Sequence, residues 1–246
     1  MRIQNILKAT TVALGVTFSP TLFAASYTWS FGGSGSGSSF TFNSDQAGGP
    51  TVKATAWYLG LFSNEFTAGT LGRFSQGLGV CNGLENCSNN PNHQVDNDGL
   101  EEFILFEFST PVDPTTVKVT TTTSGGGDTD ASYWLGGNAG QNLNLTGLSI
   151  SNLAGLGFGA QINSDAANLG QGASRDIPIP PAGTFVNKML FGARLGHDND
   201  YFKITSMSGD TPTTTVSSVP EPSSVILLGT VALAALQVAR KRARRA

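Results

Sequence analysis

The chain has 246 residues and a formal net charge of −3 at pH 7, from 14 basic and 17 acidic residues. Residues 26–219 hold seven of the basic and sixteen of the acidic residues, and this acidic excess excludes nucleic-acid binding through phosphate contacts. Glycine occurs 31 times and only 13% of the residues are charged, a composition that is poor in helix formers and typical of an all-β protein.

Residues 1–25 have the pattern of a secretory signal peptide. Arg2 and Lys8 precede a moderately apolar stretch, which ends at the small residues Ala24 and Ala25. Such a segment is removed during export, and cleavage is expected after one of the two alanines. A permanent membrane anchor is disfavoured because several threonines and Pro20 interrupt the apolar stretch.

Residues 26–208 are long enough for one domain with a hydrophobic core. Short runs rich in Val, Ile, Phe, Thr and Trp alternate with clusters of Gly, Asn, Asp and Pro, which favours a single antiparallel β-sandwich of jelly-roll-like type. The predicted strands are residues 27–31, 40–42, 51–62, 102–108, 116–122, 131–135, 143–150, 185–193 and 201–207. The Gly/Ser tract 32–39 is predicted to be a hairpin loop.

The clearest strand pattern lies between residues 102 and 108. Phe103 and Leu105 would lie on one face, and Ile104, Phe106 and Phe108 on the other. Because both faces are apolar, the pattern predicts a strand in the centre of a sheet.

Four aromatic residues in the predicted strands are candidate ligand-binding residues: Trp57, Tyr58, Tyr133 and Trp134. Aromatic rings that lie beside polar side chains stack on sugars when they are exposed. The same rings fill the core when they are buried. The sequence leaves both interpretations open.

The two cysteines, Cys81 and Cys87, enclose a short segment rich in Asn and Gly. A close pair in an exported chain usually forms a disulfide. A zinc site would need further ligands, and the chain has no second cysteine pair. We therefore predict a Cys81–Cys87 disulfide.

Five side chains with oxygen ligands follow within seven residues: Asp96, Asn97, Asp98, Glu101 and Glu102. Such side chains suit the hard cation Ca²⁺, although their spacing differs from that of an EF-hand. An Asx-rich turn would explain the same residues without a metal. The sequence therefore predicts either no cofactor or a calcium ion at this segment.

Two weaker acidic pairs lie in later loops. They are Asp128 with Asp130, and Asp198 with Asp200 beside His197. Alternating aspartates in a polar turn are usually solvated. The sequence does not determine whether these pairs meet the first acidic segment in space.

Catalytic signatures are missing from the sequence. It contains no Gly-x-Ser-x-Gly, His-Glu-x-x-His or Gly-x-x-x-x-Gly-Lys motif, and its only histidines are His93 and His197. We therefore predict that the protein is not an enzyme.

The C-terminal 38 residues divide into three parts. Residues 209–222 form a polar stalk rich in Thr, Ser and Pro. Residues 223–239 are apolar and would form a transmembrane helix about 25 Å long, close to the thickness of a bilayer core. Residues 240–246 are a basic tail, which would stay in the cytoplasm by the positive-inside rule.

The stalk ends in the tetrapeptide Val219, Pro220, Glu221 and Pro222. Together with the apolar helix and the basic tail, it resembles the PEP-CTERM sorting signal of bacterial exosortase substrates. The resemblance implies that a membrane-embedded exosortase recognises this motif and removes the helix, so that the inner membrane holds the chain only transiently. An ordinary single-helix anchor is the alternative. Four further motifs are Gly-Leu-Gly-Val at 77–80, Asn-His-Gln-Val-Asp-Asn at 92–97, Phe-Ile-Leu-Phe-Glu-Phe at 103–108 and Gly-Asp-Thr-Asp at 127–130. With them, residues 55–140 also look like surface proteins of this class.

These features together predict an exported, non-enzymatic protein of the cell surface or extracellular matrix. Its partners would be the general secretion machinery and the exosortase. By resemblance, it would be structural or adhesive in an exopolysaccharide or biofilm layer. A calcium-assisted carbohydrate-binding module is the alternative function.

Overall fold

The computed structural model describes residues 25–85, 93–121, 127–166, 168–180, 183–212, 237 and 239–244. One compact unit comprises residues 24–212, and residues 1–23 with 213–246 form a second unit. The predicted signal peptide up to Ala24, the predicted sorting motif Val219–Pro222 and most of the predicted transmembrane helix lie outside the described residues. Of that second unit the structure describes a short helical segment, residues 239–243. Among the described residues, no helix is long and apolar enough to cross a membrane.

The unit of residues 24–212 is built of antiparallel β-structure, which confirms the all-β prediction. Its strands are β1 (Ser26–Ser30), β2 (Gly35–Gly37), β3 (Ser39–Asn43), β4 (Thr51–Leu59), β5 (Phe66–Ala68), β6 (Thr70–Phe74), β7 (Gly77–Cys81), β8 (Val95–Asp96), β9 (Glu102–Thr120), β10 (Ala131–Gly136), β11 (Ile162–Ser164), β12 (Ser174–Pro178), β13 (Val186–Ala193) and β14 (Tyr201–Asp210).

The strands form two sheet regions that share β9. In the first region the order is β11-β10-β13-β9-β4, and β3 and β5 both pair with the far side of β4. In the second region β9 lies between β12 and β14. The other side of β14 pairs with β1, β7 and β8, and the sheet continues through β7 to β6 and β2.

Strand β9 changes sheet region in its middle. Residues 102–108 pair with β4 and β13, whereas residues 113–120 pair with β14 and β12. The change occurs around Pro111 and Pro114, which lack the backbone N–H that a central strand position requires. Strands that switch sheets through a bend form the corners of packed sheets. One strand is therefore central in both regions.

The larger hydrophobic core lies between the two regions. It takes Ala54, Ile104 and Phe191 from the first region and Val119 and Ile204 from the second. Aromatic rings make contacts from one region to the other, with centroid distances of 5.7 Å from Trp29 to Phe108 and 6.0 Å from Phe191 to Phe202.

A second core covers the other face of the first region. Phe103, Leu105 and Leu190 on that face pack against Leu145 and Leu153 of the segment that follows β10. A 3₁₀-helix, Ile150–Leu156, lies in this segment. The predicted central position of residues 102–108 is confirmed, because each apolar face of this strand packs into its own core.

Buried charges fix the same segment to the sheet. Glu107 on β9 is the cross-strand partner of Lys53 on β4 and of Lys188 on β13. The Glu107 carboxylate accepts hydrogen bonds from the backbone N–H of Leu143, at 2.8 Å, and of Asn142, at 3.1 Å. Burial lowers the pKa of Lys188, and the charge of Glu107 opposes this shift. These contacts hold the start of the covering segment across three strands.

Two predictions of local structure were wrong. Residues 143–150 do not form a regular strand: their leucines cover the sheet face, and only residues 147–149 pair with the sheet edge, at Glu65 and Phe66. The Gly/Ser tract 32–39 is not only a loop, because Gly35–Gly37 pairs with β6. Glycine at position 33 permits this close approach, since a Cβ there would lie 2.3 Å from Arg73 Nε.

Candidate functional site

Three loop segments meet at one end of the domain: those before β9 and before β10, and the one that joins β13 to β14. In the strand register, Glu102 lies opposite Tyr58 and Ala193 lies opposite Ala131. The start of β9, the end of β13 and the start of β10 therefore lie at the same end of the first sheet region. The chain before β14 joins them through a bridge between Asp128 and Asp200. The backbone N–H of Tyr201 also donates to Asp128 O at 3.0 Å. Residues far apart in sequence are thereby brought together.

The loops carry a cluster of three carboxylates: Asp128, Asp130 and Asp200. One oxygen of each lies within 4.8 Å of the others. Asp200 is only 1% exposed, and burial together with the charges of Asp130 and Asp128 raises its pKa to about 6. Burial also raises the pKa of Asp130, and nearby Arg194 opposes this shift.

Asn97 holds Asp200 in place. Its Nδ2 donates to Asp200 Oδ2 at 2.5 Å, and its Oδ1 accepts from the backbone N–H of Asp200 at 2.9 Å. The same Nδ2 lies 2.8 Å from the carbonyl oxygen of His197. An asparagine with both side-chain atoms engaged in this way fixes the loop before β14 against the loop before β9.

Cationic groups balance the cluster only partly. Arg194 Nη1 lies 3.6 Å from Asp130 Oδ2 and also contacts Asp165. His197 Nδ1 lies 4.0 Å from the same Asp130 oxygen. Three clustered carboxylates beside one permanent cation provide the oxygen ligands that a hard divalent cation prefers.

The five residues predicted as calcium ligands do not form one group. Asn97 contacts the carboxylate cluster through its hydrogen bond to Asp200. Burial, followed by the charges of Asp200 and Asp198, raises the pKa of Glu101 to about 7, and a hydrogen bond from the Gly196 backbone opposes this shift. Asp98 is exposed.

Asp96 and Glu102 belong to a different buried group. Glu102 is fully buried and accepts from Asn82 Nδ2 at 2.9 Å and from the backbone N–H of Asp96 at 3.2 Å. Burial, followed by the charge of Glu85, raises the pKa of Asp96 to about 7. Burial and the charge of Asp96 raise the pKa of Glu102 well above its usual value. The acidic segment is therefore divided between two sites.

The carboxylates that do converge come largely from the weaker acidic pairs. Asp128, Asp130 and Asp200 were visible in the sequence as alternating aspartates. Their meeting depends on the pairing of β14 and β10 with strands distant in sequence, which no local pattern encodes.

The aromatic candidates are mainly core residues. Trp57, Tyr133 and Trp134 are at most 5% exposed, so their rings are not available to stack on a sugar, and the burial favours the core interpretation over ligand binding. Trp134 packs edge-on against Phe103, with ring centroids 6.0 Å apart. Tyr58 alone of the four is partly exposed.

Cys81 is disulfide-bonded, and its predicted partner Cys87 lies outside the described residues. Potential metal ligands of Cys81, Glu85 and His93 lie within 4.8 Å of one another. A sulfur atom engaged in a disulfide does not supply the thiolate that a zinc site uses. This group is consequently a weaker candidate for a metal site than the three aspartates.

No protein-family model matches the chain, and neither a curated protein nor a solved structure matches it.

Proposed function

We propose that the chain is an exported, non-enzymatic protein of the cell surface or extracellular matrix, with its work done by the β domain. We infer that this domain is a β-sandwich of jelly-roll-like type, since its two sheet regions share one core. Export would use the signal peptide, and sorting would use Val219–Pro222.

The observation that carries this proposal is the closure of the domain by its first and last strands. Ser26 of β1 pairs with Asp210 of β14, and the backbone N–H of Thr211 donates to Ala25 O at 3.1 Å. Removal of residues 1–24 or of the C-terminal signal would therefore leave every strand of the domain intact. A domain bounded in this way suits a chain whose two ends are processing signals.

Intact-mass analysis of the protein recovered from the surface of the native cells tests this function. The expected mature chain begins at Ala25 or Ser26 and lacks the apolar helix. Changing Pro220 and Pro222 to Ala should leave the helix attached, whereas the control Pro212→Ala should not. Recovery of wild-type chains that retain residues 225–246 would contradict exosortase processing.

A second candidate function is calcium-assisted carbohydrate binding. The convergence of Asp128, Asp130 and Asp200 favours it, because Ca²⁺ requires several oxygen ligands from a small volume. Asn97 from the predicted calcium set donates to Asp200, and the charge of Asp200 contributes to the raised pKa of Glu101. Calcium would offset the repulsion among the carboxylates and would fix the loops at this end of the domain.

A further inference from the structure

A groove with a volume of about 640 Å³ lies along β2 and β6. Residues 33–36 line one part of it and residues 72–76 another. The rest of the lining consists of Thr70, Cys81, His93 and Lys203. Its volume is within the range of about 300 to 1,000 Å³ that is usual for small-ligand sites. It shares no lining residue with the carboxylate cluster.

The lining of the groove differs in charge from the rest of the domain. Arg73 and Lys203 contribute to it, and no Asp or Glu among the described residues does. Residues 26–219 as a whole have more than twice as many acidic as basic residues. Glu85, which is not part of the lining, lies with Oε2 3.6 Å from His93 Nδ1. The groove therefore favours a ligand with negative charge.

His93 has unused hydrogen-bonding capacity in this groove. Its side chain is buried, with the residue 5% exposed, and neither ring nitrogen has a hydrogen-bond partner among the described residues. Its backbone is fixed, because Lys203 Nζ donates to His93 O at 2.6 Å. Buried polar groups are normally paired, and Nδ1 already lies beside Glu85, so Nε2 is the ring atom that a ligand would pair.

The two cations are held rigidly. Lys203 is fully buried, with Nζ 3.4 Å from the centroid of the Phe74 ring. Burial lowers its pKa to about 8, so the amine remains largely protonated at neutral pH. Arg73 donates to Gly32 O from Nη2 at 2.7 Å and from Nε at 3.1 Å, which leaves the N–H groups of Nη1 for a ligand.

The remaining polar lining can bond to hydroxyl groups. It consists of the hydroxyls of Ser34, Ser36, Thr70 and Ser75 and the amide of Gln76. Hydroxyl and amide side chains both donate and accept, as sugar hydroxyls do. We propose that the groove binds an acidic sugar, with its carboxylate directed to Arg73 and His93 and its hydroxyls to the serine and glutamine side chains.

Calorimetric titration of the purified full chain in detergent tests this assignment. The probes are a glucuronate-containing oligosaccharide, a neutral glucose oligosaccharide of equal length, and acetate as the carboxylate alone. EDTA is present throughout, so that the result does not depend on the calcium candidate. Export and sorting do not enter this measurement, and its failure would leave the proposed surface function untouched.

The acidic oligosaccharide should bind, and the other two probes should bind at least about tenfold more weakly, because each lacks either the carboxylate or the hydroxyls. Arg73→Gln and His93→Phe should each weaken the binding about tenfold. Gln76→Ala, at an exposed position, should weaken it less and is the variant least able to disturb folding. The matched control is Lys118→Gln, which removes an exposed cation outside the groove.

Equal binding of the acidic and neutral sugars would overturn the proposal. It would also be overturned if the acidic sugar bound no more tightly than acetate, or if Lys118→Gln weakened binding as much as Arg73→Gln. Loss of binding only in Arg73→Gln would also count against the proposal under two conditions. These are that this variant has lost the β-sheet circular dichroism of the wild type, and that Gln76→Ala binds normally.

Discussion

The Ser26 hydroxyl donates a hydrogen bond of 2.5 Å to Asp210 Oδ1, and so joins the first residue of β1 to the last residue of β14. The two residues are 184 positions apart in the chain. This contact is exposed, and the burial of β1 depends on other residues of the strand.

Trp29 is the residue that should anchor β1. It is fully buried, and its Nε1 donates to Pro50 O at 2.8 Å. Trp29→Ala should lower the free energy of unfolding by about 3 to 5 kcal/mol, since it removes a large buried ring. Urea denaturation followed by fluorescence measures this loss. The control Ser26→Ala, which removes only the exposed hydrogen bond, should cost less than about 1 kcal/mol.

Calcium should stabilise the protein through the carboxylate cluster. At a concentration 100 times the dissociation constant, a bound ion adds about 2.7 kcal/mol to the free energy of unfolding. Thermal denaturation with EDTA and with millimolar CaCl₂ should therefore give a higher Tm with calcium. Asp130→Asn and Asp200→Asn should abolish the increase, and Asp176→Asn, at an exposed position on β12, should retain it. An unchanged wild-type Tm at millimolar calcium would exclude the calcium candidate.

Stability in EDTA should decrease as the pH rises from about 5 to 8. Burial raises the pKa values of Asp96 and Glu101 to about 7, far above those of the unfolded chain. At a pH between the pKa values of the unfolded and the folded chain, the folded state binds more protons than the unfolded state. The free energy of unfolding therefore falls with increasing pH in this range. Urea denaturation at unit steps of pH measures the slope.

Asp96→Asn should make this slope shallower, because its amide remains neutral throughout the range. The control Asp45→Asn changes an exposed carboxylate and should leave the slope unchanged. A free energy of unfolding that rises from pH 5 to 8 in the wild type would contradict the prediction.

Glu107 should be among the most sensitive charged positions. Glu107→Ala removes the acceptor for two backbone N–H groups and the ion-pair partner of Lys53, whose Nζ lies 3.8 Å from Glu107 Oε2. A change that leaves a buried hydrogen-bonding group unsatisfied costs about 1 to 3 kcal/mol. Chemical denaturation should show this decrease, while Lys118→Ala, at an exposed position, should change stability by less than about 0.5 kcal/mol. Similar values for the two variants would show that Glu107 does not hold the covering segment.

Sequence patterns predicted the parts of the fold whose signal is local. The alternation from Phe103 to Phe108 defined a strand with two apolar faces, and both faces are buried. Residues 143–150 are also rich in apolar side chains, but their leucines lie over the sheet, and only residues 147–149 pair at its edge. Apolar composition does not distinguish the two arrangements. Gly35–Gly37 gave no strand signal because its side chains contribute almost nothing to packing.

The candidate sites were harder to predict, for a physical reason. The acidic segment from Asp96 to Glu102 is contiguous in sequence, yet successive side chains enter different environments as the backbone passes into β9. Asp200 and Asp130 come together only after β14 and β10 have taken their places in separate sheet regions. The tertiary structure thus selects which of the many acidic residues meet.

The course of β9 also sets an order of events during synthesis. When residues 102–108 have been made, β4 is already present for them to pair with. Residues 113–120 must wait for β12 and β14, the latter ending at Asp210. The domain can therefore begin to fold while the chain is still emerging, but it reaches its final form only when nearly the whole chain has appeared. Until then the second half of β9 exposes unpaired backbone groups, and it is the segment on which a chaperone would act to prevent aggregation.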